Sequence, residues 1–179
     1  MTLGALTIRA RSYTAHRSDM GQLTQTFSEI QEQMDGVYAA IYTHENVTTQ
    51  SIPTGAGYEL VTNYTANGDE NNCTADYAND KITITKDGEY SVDFSCSFTE
   101  AGLNNNWFFS VFVDGVERDD IHFERKIGTG GDYGSAGSSG IFSVTGSPVD
   151  VDIRCRHDDA GSLTLTVKYS NLRAIRVGV

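Results

Sequence analysis

Residues 90–98 read YSVDFSCSF, and they decide the fold class because apolar and polar side chains alternate along the whole stretch. A period of two predicts a strand with one buried face. The same alternation recurs in residues 82–85 and 149–155, while Asp87-Gly88 and Asp114-Gly115 are dipeptides typical of tight turns. From about residue 48 to the C-terminus the chain is therefore predicted to be mainly β, an antiparallel sandwich or jelly roll.

Residues 107–113 read WFFSVFV and are apolar on both faces of the predicted strand. One face is expected to fill the core of the sandwich, and the other needs a second cover. A neighbouring subunit would supply that cover, since aromatic side chains are enriched at subunit interfaces. This predicts an interface between heads formed by Trp107, Phe108, Phe109 and Phe112. A cover supplied by a long loop of the same chain is the alternative.

A heptad pattern precedes the strands, because apolar residues recur at alternating spacings of three and four. The predicted seam consists of Met20, Leu23, Phe27, Ile30, Met34, Val37 and Ile41. It predicts a coiled-coil helix within residues 18–45, and β-branched residues at the d positions favour three or four strands over two. An amphipathic helix packed on its own domain is the alternative.

Residues 1–17 differ from the remainder in charge, because they carry Arg9, Arg11 and Arg17 and no acid, whereas the whole chain has a net charge of −11. Leu6 and Ile8 alternate with polar residues, as in an extended arm that adds a strand to a partner. We therefore expect these five residues to anchor the chain to another protein, an untethered terminus being the alternative. The acidic remainder predicts no binding to nucleic acid, and no apolar run is long enough to predict a membrane span.

A search for catalytic chemistry finds no convergent set of residues. The four histidines are scattered, and the clusters at 119–122 and 157–159 are interpreted as solvated turns rather than metal sites. Cys96 and Cys155 fall on the apolar sides of predicted strands and are expected to be buried, whereas Cys73 could be exposed. The sequence therefore predicts no enzyme, no catalytic residue, no metal and no cofactor.

Several stretches together resemble the C1q/TNF-like trimeric jelly-roll family, which also occurs in bacteriophage virion fibres and decoration proteins. They are residues 87–92 with 95–98, residues 111–115, and residues 139–144 followed by 146–151. Each is a strand-turn-strand pattern, and their order and spacing over residues 50–179 carry the resemblance. The resemblance implies a C1q/TNF-like head that associates as a threefold trimer.

These predictions combine into an anchoring arm at 1–17, a coiled-coil helix at 18–45 and a jelly-roll head at 46–179. We expect a non-enzymatic homotrimeric structural protein on the outer surface of a virion, a phage capsid decoration protein or head fibre that contacts other virion proteins through its arm. The alternative is a tail fibre or spike that recognises a host-surface glycan through the loop around Tyr133. A hydrolase is the least supported class.

Overall fold

The computed structural model describes residues 36–54, 57–102, 104–128 and 131–178. Within them the chain forms twelve strands and a short 3-10 helix, Tyr77–Asn79. The strands are β1 (Tyr38–Thr43), β2 (Gln50–Ile52), β3 (Glu59–Leu60), β4 (Ala66–Asn67), β5 (Cys73–Asp76), β6 (Lys81–Ile84), β7 (Gly88–Glu100), β8 (Asn105–Val113), β9 (Val116–Ile127), β10 (Gly134–Val144), β11 (Val149–His157) and β12 (Leu163–Gly178). None of the helices in the described residues is long and apolar enough to cross a membrane.

The strands form two six-stranded antiparallel sheets. The A sheet has the order β10-β7-β12-β1-β4, with β2 also paired to β12. The B sheet has the order β5-β6-β11-β8-β9, with β3 also paired to β11. The prediction of a mainly β, antiparallel sandwich is confirmed for this part of the chain.

The core lies between the two sheets and is formed by the inward side of each alternating strand. In β7 the side chains of Tyr90, Val92, Phe94, Cys96 and Phe98 are all buried. Aromatic rings then join the sheets, because Phe94 and Phe98 of β7 pack against Phe123 and Phe109 of the B sheet, with ring centroids 5.5 and 4.9 Å apart. Burying each such ring stabilises the fold by about 1.5–3 kcal/mol.

The two predicted turn dipeptides have different roles. Asp114 and Gly115 have φ angles of 48° and 76° and connect β8 to β9 as a two-residue hairpin, as their residue types predict. Asp87 and Gly88 instead lie where the chain crosses from β6 in the B sheet to β7 in the A sheet. The carboxylate of Asp87 accepts the backbone N–H groups of Gly146 and Ser147, which joins this crossing to the turn before β11.

The end of the predicted coiled-coil seam is wrong, because Val37 and Ile41 are not in a helix. Ile41 lies in β1, which pairs with β12, and both side chains are buried in the core of the sandwich. A spacing of four suits a strand as well as a helix, so these two positions also fit the alternation Val37, Ala39, Ile41. The head therefore begins at about Gly36 instead of residue 46.

The remaining predicted N-terminal residues lie outside the described residues. They are the seam residues Met20, Leu23, Phe27, Ile30 and Met34, and the anchoring residues Leu6, Ile8, Arg9, Arg11 and Arg17.

Candidate self-association face

The outward side of the A sheet, which we call the A face, is formed by cross-strand rows of mostly small or aromatic side chains. It comprises Tyr38, Ala40 and Tyr42 of β1, Ser91, Asp93, Ser95 and Ser97 of β7, Ser135, Gly137, Ser139 and Ile141 of β10, and Tyr169, Asn171, Arg173 and Ile175 of β12. Four of its large side chains, Tyr38, Tyr42, Ile141 and Tyr169, are exposed by 37–58%. Solvent-facing tyrosines and isoleucine on one surface are typical of a protein–protein interface.

The A face also carries little charge, although the chain is strongly acidic. The two charged side chains near its centre, Arg173 and Asp93, form an ion pair with an N–O distance of 2.6 Å, so they neutralise one another, and Glu89 lies at its edge opposite Ser143. Charged residues are depleted at the centres of protein interfaces because they are costly to desolvate. An acidic chain would repel its own copies, and this face is a part of its surface where that repulsion is weak.

Small side chains leave a shallow depression of about 480 Å³ at the centre of the A face. Its floor is formed by Ser95 of β7 and Gly137 of β10, which are direct cross-strand neighbours, with Asn171 of β12 beside them. A Cβ atom on Gly137 would lie 2.8 Å from the carbonyl oxygen of Phe94, so only glycine fits there without displacing the backbone. The depression can therefore receive a protruding side chain of a partner.

The outward side of the B sheet, which we call the B face, is covered by the chain itself. The guanidinium carbon of Arg154 lies 4.5 Å from the ring centroid of Phe112, and that of Arg156 lies 3.9 Å from Phe108. Tyr58, which precedes β3, packs edge-on against Phe112 at 5.3 Å. Cation–π contacts and this aromatic contact therefore supply the second cover that the apolar β8 requires.

The predicted interface between heads is corrected by this arrangement. Trp107 and Phe109 are fully buried within one chain, because they face the other sheet, and they cannot contact a neighbour. Phe108 and Phe112 do face outward, but Arg156, Arg154 and Tyr58 lie over them. The cover of the B face comes from the same chain, but from side chains of β11 and from Tyr58 instead of the long loop that the alternative named.

Trp107 is held by a polar contact inside the core. Its indole N–H donates to Oε2 of Glu100 at 2.8 Å, and Nδ2 of Asn105 donates to the same oxygen at 3.1 Å. All three residues are buried. These hydrogen bonds to Oε2 of Glu100 fix the orientation of the indole ring, while Oε1 of Glu100 is buried without a hydrogen-bond partner in the described residues.

The two histidine–aspartate clusters make contacts within the chain and form no metal site in the described residues. Asp120 is paired with Arg118, and His122 contacts the carbonyl oxygen of Asp119. His157 is buried with Nε2 3.1 Å from the carbonyl oxygen of Ile52, and Asp158 accepts two hydrogen bonds from Asn106. No group of three or more histidine, cysteine or acidic side chains in the described residues could hold a metal ion.

The three cysteines are free and buried, including Cys73, for which exposure had been left open. Burial raises the pKa of the Cys96 thiol well above its ordinary value, and it also raises the pKa of Cys155. These thiols are therefore protonated at neutral pH and behave as small apolar core residues.

The A face was missed by the sequence analysis, although part of its signal is in the sequence. The residues between the apolar positions of β7 are Ser91, Asp93, Ser95 and Ser97, which are short, and only one of them is charged. An ordinary solvated strand usually carries longer polar or charged side chains at such positions. Recognising the face also requires the pairing register of β7 with β10 and β12, which cannot be read from the sequence.

Solved structures of other proteins share the fold of the head. No protein-family model matches the chain, and no curated protein matches it. The globular domain of zebrafish complement 1qA protein is similar in structure, with a TM-score of 0.52 and 10% identity over 79% of this chain and 97% of that one. Eiger TNF from S. frugiperda is similar with a TM-score of 0.50 and 10% identity, over 80% of this chain and 94% of that one. The head therefore has a C1q/TNF-like jelly-roll fold.

Proposed function

We propose that this protein is a non-enzymatic homotrimer on the outer surface of a virus particle, a capsid decoration protein or head fibre of a phage. In this proposal the arm at residues 1–17 attaches the chain to the particle, the heptad seam that precedes the head joins three helices, and three jelly rolls form the exposed end. The part of the seam that remains available to the helix runs from Met20 to Met34.

The A face is the observation that carries the homotrimer, while the place on a virion rests on the resemblance of the sequence. It is a nearly uncharged surface with exposed tyrosines on an acidic head, and the fold to which the head belongs usually trimerises. Three heads that bury their A faces would present their B faces and loops outward. A trimer also places three copies of any weak contact on one object, which increases avidity.

Attachment to the particle is tested by labelling purified virions with antibodies against the head. We expect label over the capsid shell on intact particles, and loss of that label when the chain is produced without residues 1–17. Label restricted to tails would contradict a decoration protein and favour a tail fibre or spike. Absence of label from particles would contradict both assignments.

A tail fibre or spike that recognises a host-surface glycan is the second candidate. It is favoured by Tyr133, which is 61% exposed beside β10 and offers an aromatic ring to a sugar. A glycan array probed with the labelled full chain tests this function. Binding that is lost when Tyr133→Ala is introduced would support the loop as the site, and the absence of binding to any glycan would contradict the function.

A further inference from the structure

A pocket of about 290 Å³ opens on the B face, and neither A-face residues nor Tyr133 line it. Its floor is formed by Arg156 of β11, Phe108 of β8 and Tyr58. The guanidinium carbon of Arg156 lies 3.9 Å from the centroid of Phe108 and 5.2 Å from that of Tyr58. Contact with two aromatic rings restrains the planar guanidinium and fixes the directions of its N–H groups.

Arg156 differs from the other arginine that covers the B face. Arg154 donates two hydrogen bonds to Asp152, at 2.8 and 3.1 Å. Arg156 has no ion pair within the part of the chain that the structure describes, and its polar side-chain contact is with the hydroxyl of Tyr58, which also contacts Glu117. A guanidinium offers five N–H donors, so those of Arg156 that are turned neither toward the rings nor toward the Tyr58 hydroxyl remain available to a ligand.

The rim of the pocket supplies acceptors. Glu117, Asp119 and Glu124 of β9 place carboxylates around it, and the imidazole of His122 lies among them. All four side chains are exposed. Ionised carboxylates only accept hydrogen bonds, and each has two oxygens that can take a pair of neighbouring hydroxyl groups.

This combination restricts the class of ligand. A simple anion would be repelled by three carboxylates, and a simple cation, although they attract it, has no acceptor for the N–H groups of Arg156. A neutral polyhydroxyl compound satisfies both sets, because its hydroxyl groups donate to the carboxylates and accept from Arg156. The ring of Tyr58 adds an apolar surface for the C–H face of a sugar, and the volume lies at the lower end of ordinary ligand pockets.

We propose that this B-face pocket is a binding site for one neutral saccharide unit. The proposal rests on the second candidate function, recognition of a surface glycan, and moves its site from the Tyr133 loop to the pocket. Burial of the A face in a trimer would leave the pocket accessible. Three pockets on one trimer would convert a weak contact with a single sugar into tighter binding to a surface that displays many.

The test is saturation-transfer difference NMR on the full chain, with methyl α-mannoside, methyl β-galactoside and N-acetylglucosamine as neutral probes. Sialyllactose serves as the anionic probe and lysine methyl ester as the cationic one. Three variants are compared with the wild type: Arg156→Lys, which keeps the charge but loses the planar fork, Glu124→Gln, which keeps the shape but loses the charge, and Tyr133→Ala as the control outside the pocket.

We expect at least one neutral sugar to bind, with affinity reduced about tenfold or more by Arg156→Lys and by Glu124→Gln and unchanged by Tyr133→Ala. Binding of only the charged probes, or of none of them, would overturn the pocket assignment. Sugar binding lost in Tyr133→Ala but kept in both pocket variants would also overturn it, while the glycan-recognition function itself would survive. Failure of that function is seen separately, as the absence of any binding on the array of larger glycans.

Discussion

The outward faces of the two sheets differ in whether the chain itself covers them. The B face is apolar along β8, and the chain covers it with Arg154, Arg156 and Tyr58. The A face has small residues, exposed tyrosines and a neutralised ion pair near its centre, and the described part of the chain leaves it open. The comparison shows that apolar composition alone does not identify an interface, because what matters is whether the same chain already supplies the cover.

The largest expected effect comes from Trp107, which was predicted at an interface but lies in the core, behind both outward faces. For Trp107→Ala we expect the free energy of unfolding to fall by about 3–5 kcal/mol, because a fully buried ring is lost and Glu100 loses a donor. Urea unfolding followed by far-UV circular dichroism at one fixed chain concentration measures this, since the variant lacks the only tryptophan. Unchanged stability together with dissociated subunits would return Trp107 to an interface.

Removing an arginine from each face sharpens the contrast between them. Arg154→Ala would leave the buried carboxylate of Asp152 without its bidentate partner and uncover Phe112, so we expect a loss of about 1–3 kcal/mol. The matched change on the A face is Arg173→Ala, whose partner Asp93 has a 40% exposed side chain, and here we expect a loss of at most about 1 kcal/mol.

Both variants are measured in a Ser97→Arg background, in which the added charge is meant to keep the A face exposed and lies four positions along β7 from Asp93, so that association does not contribute. Equal losses from the two arginine variants would contradict the distinction between a covered and an open face.

The smallest expected effect is on the stability of the fold at low pH. Although burial raises the pKa of Asp150, hydrogen bonds from Lys81 at 2.7 Å and Thr83 at 2.6 Å hold it below the ordinary value. A carboxylate with a lowered pKa stabilises the fold above its unfolded pKa, about 3.9, and this contribution disappears as the pH falls through the folded pKa.

Thermal unfolding between about pH 6 and pH 2 should therefore show a smaller loss of Tm in Asp150→Asn than in the wild type. Asp132→Asn serves as the control, because Asp132 is an exposed carboxylate without an ion pair in the described residues. An identical acid response of wild type and Asp150→Asn would contradict the prediction.

The strands were readable from the sequence because burial of one face imposes a period of two, as in residues 90–98. The first strand was not, since the spacing of Val37 and Ile41 fits both a helix and a strand, and only pairing with β12 decides between them. The cover of the B face could not be predicted either. It depends on Arg156 standing directly opposite Phe108, a register between strands that are 48 positions apart.

The placement of β1 also changes how the head should be isolated. A fragment that starts at residue 48 would lack a strand whose inward side chains are buried, so it would expose the core beside β12. A fragment of residues 36–179 keeps every strand of the sandwich, and it separates association through the A face from association through the heptad seam.

The central claim is that the A face joins copies of the head, and light scattering on the 36–179 fragment tests it most directly. Ser95→Arg places a long charged side chain at the centre of the A face, whereas Thr74→Arg places the same side chain at an exposed strand position of the B sheet. We predict that the wild-type fragment and Thr74→Arg are trimers in solution and that Ser95→Arg is a monomer. A monomeric wild-type fragment, or an unchanged trimer in Ser95→Arg, would contradict the account.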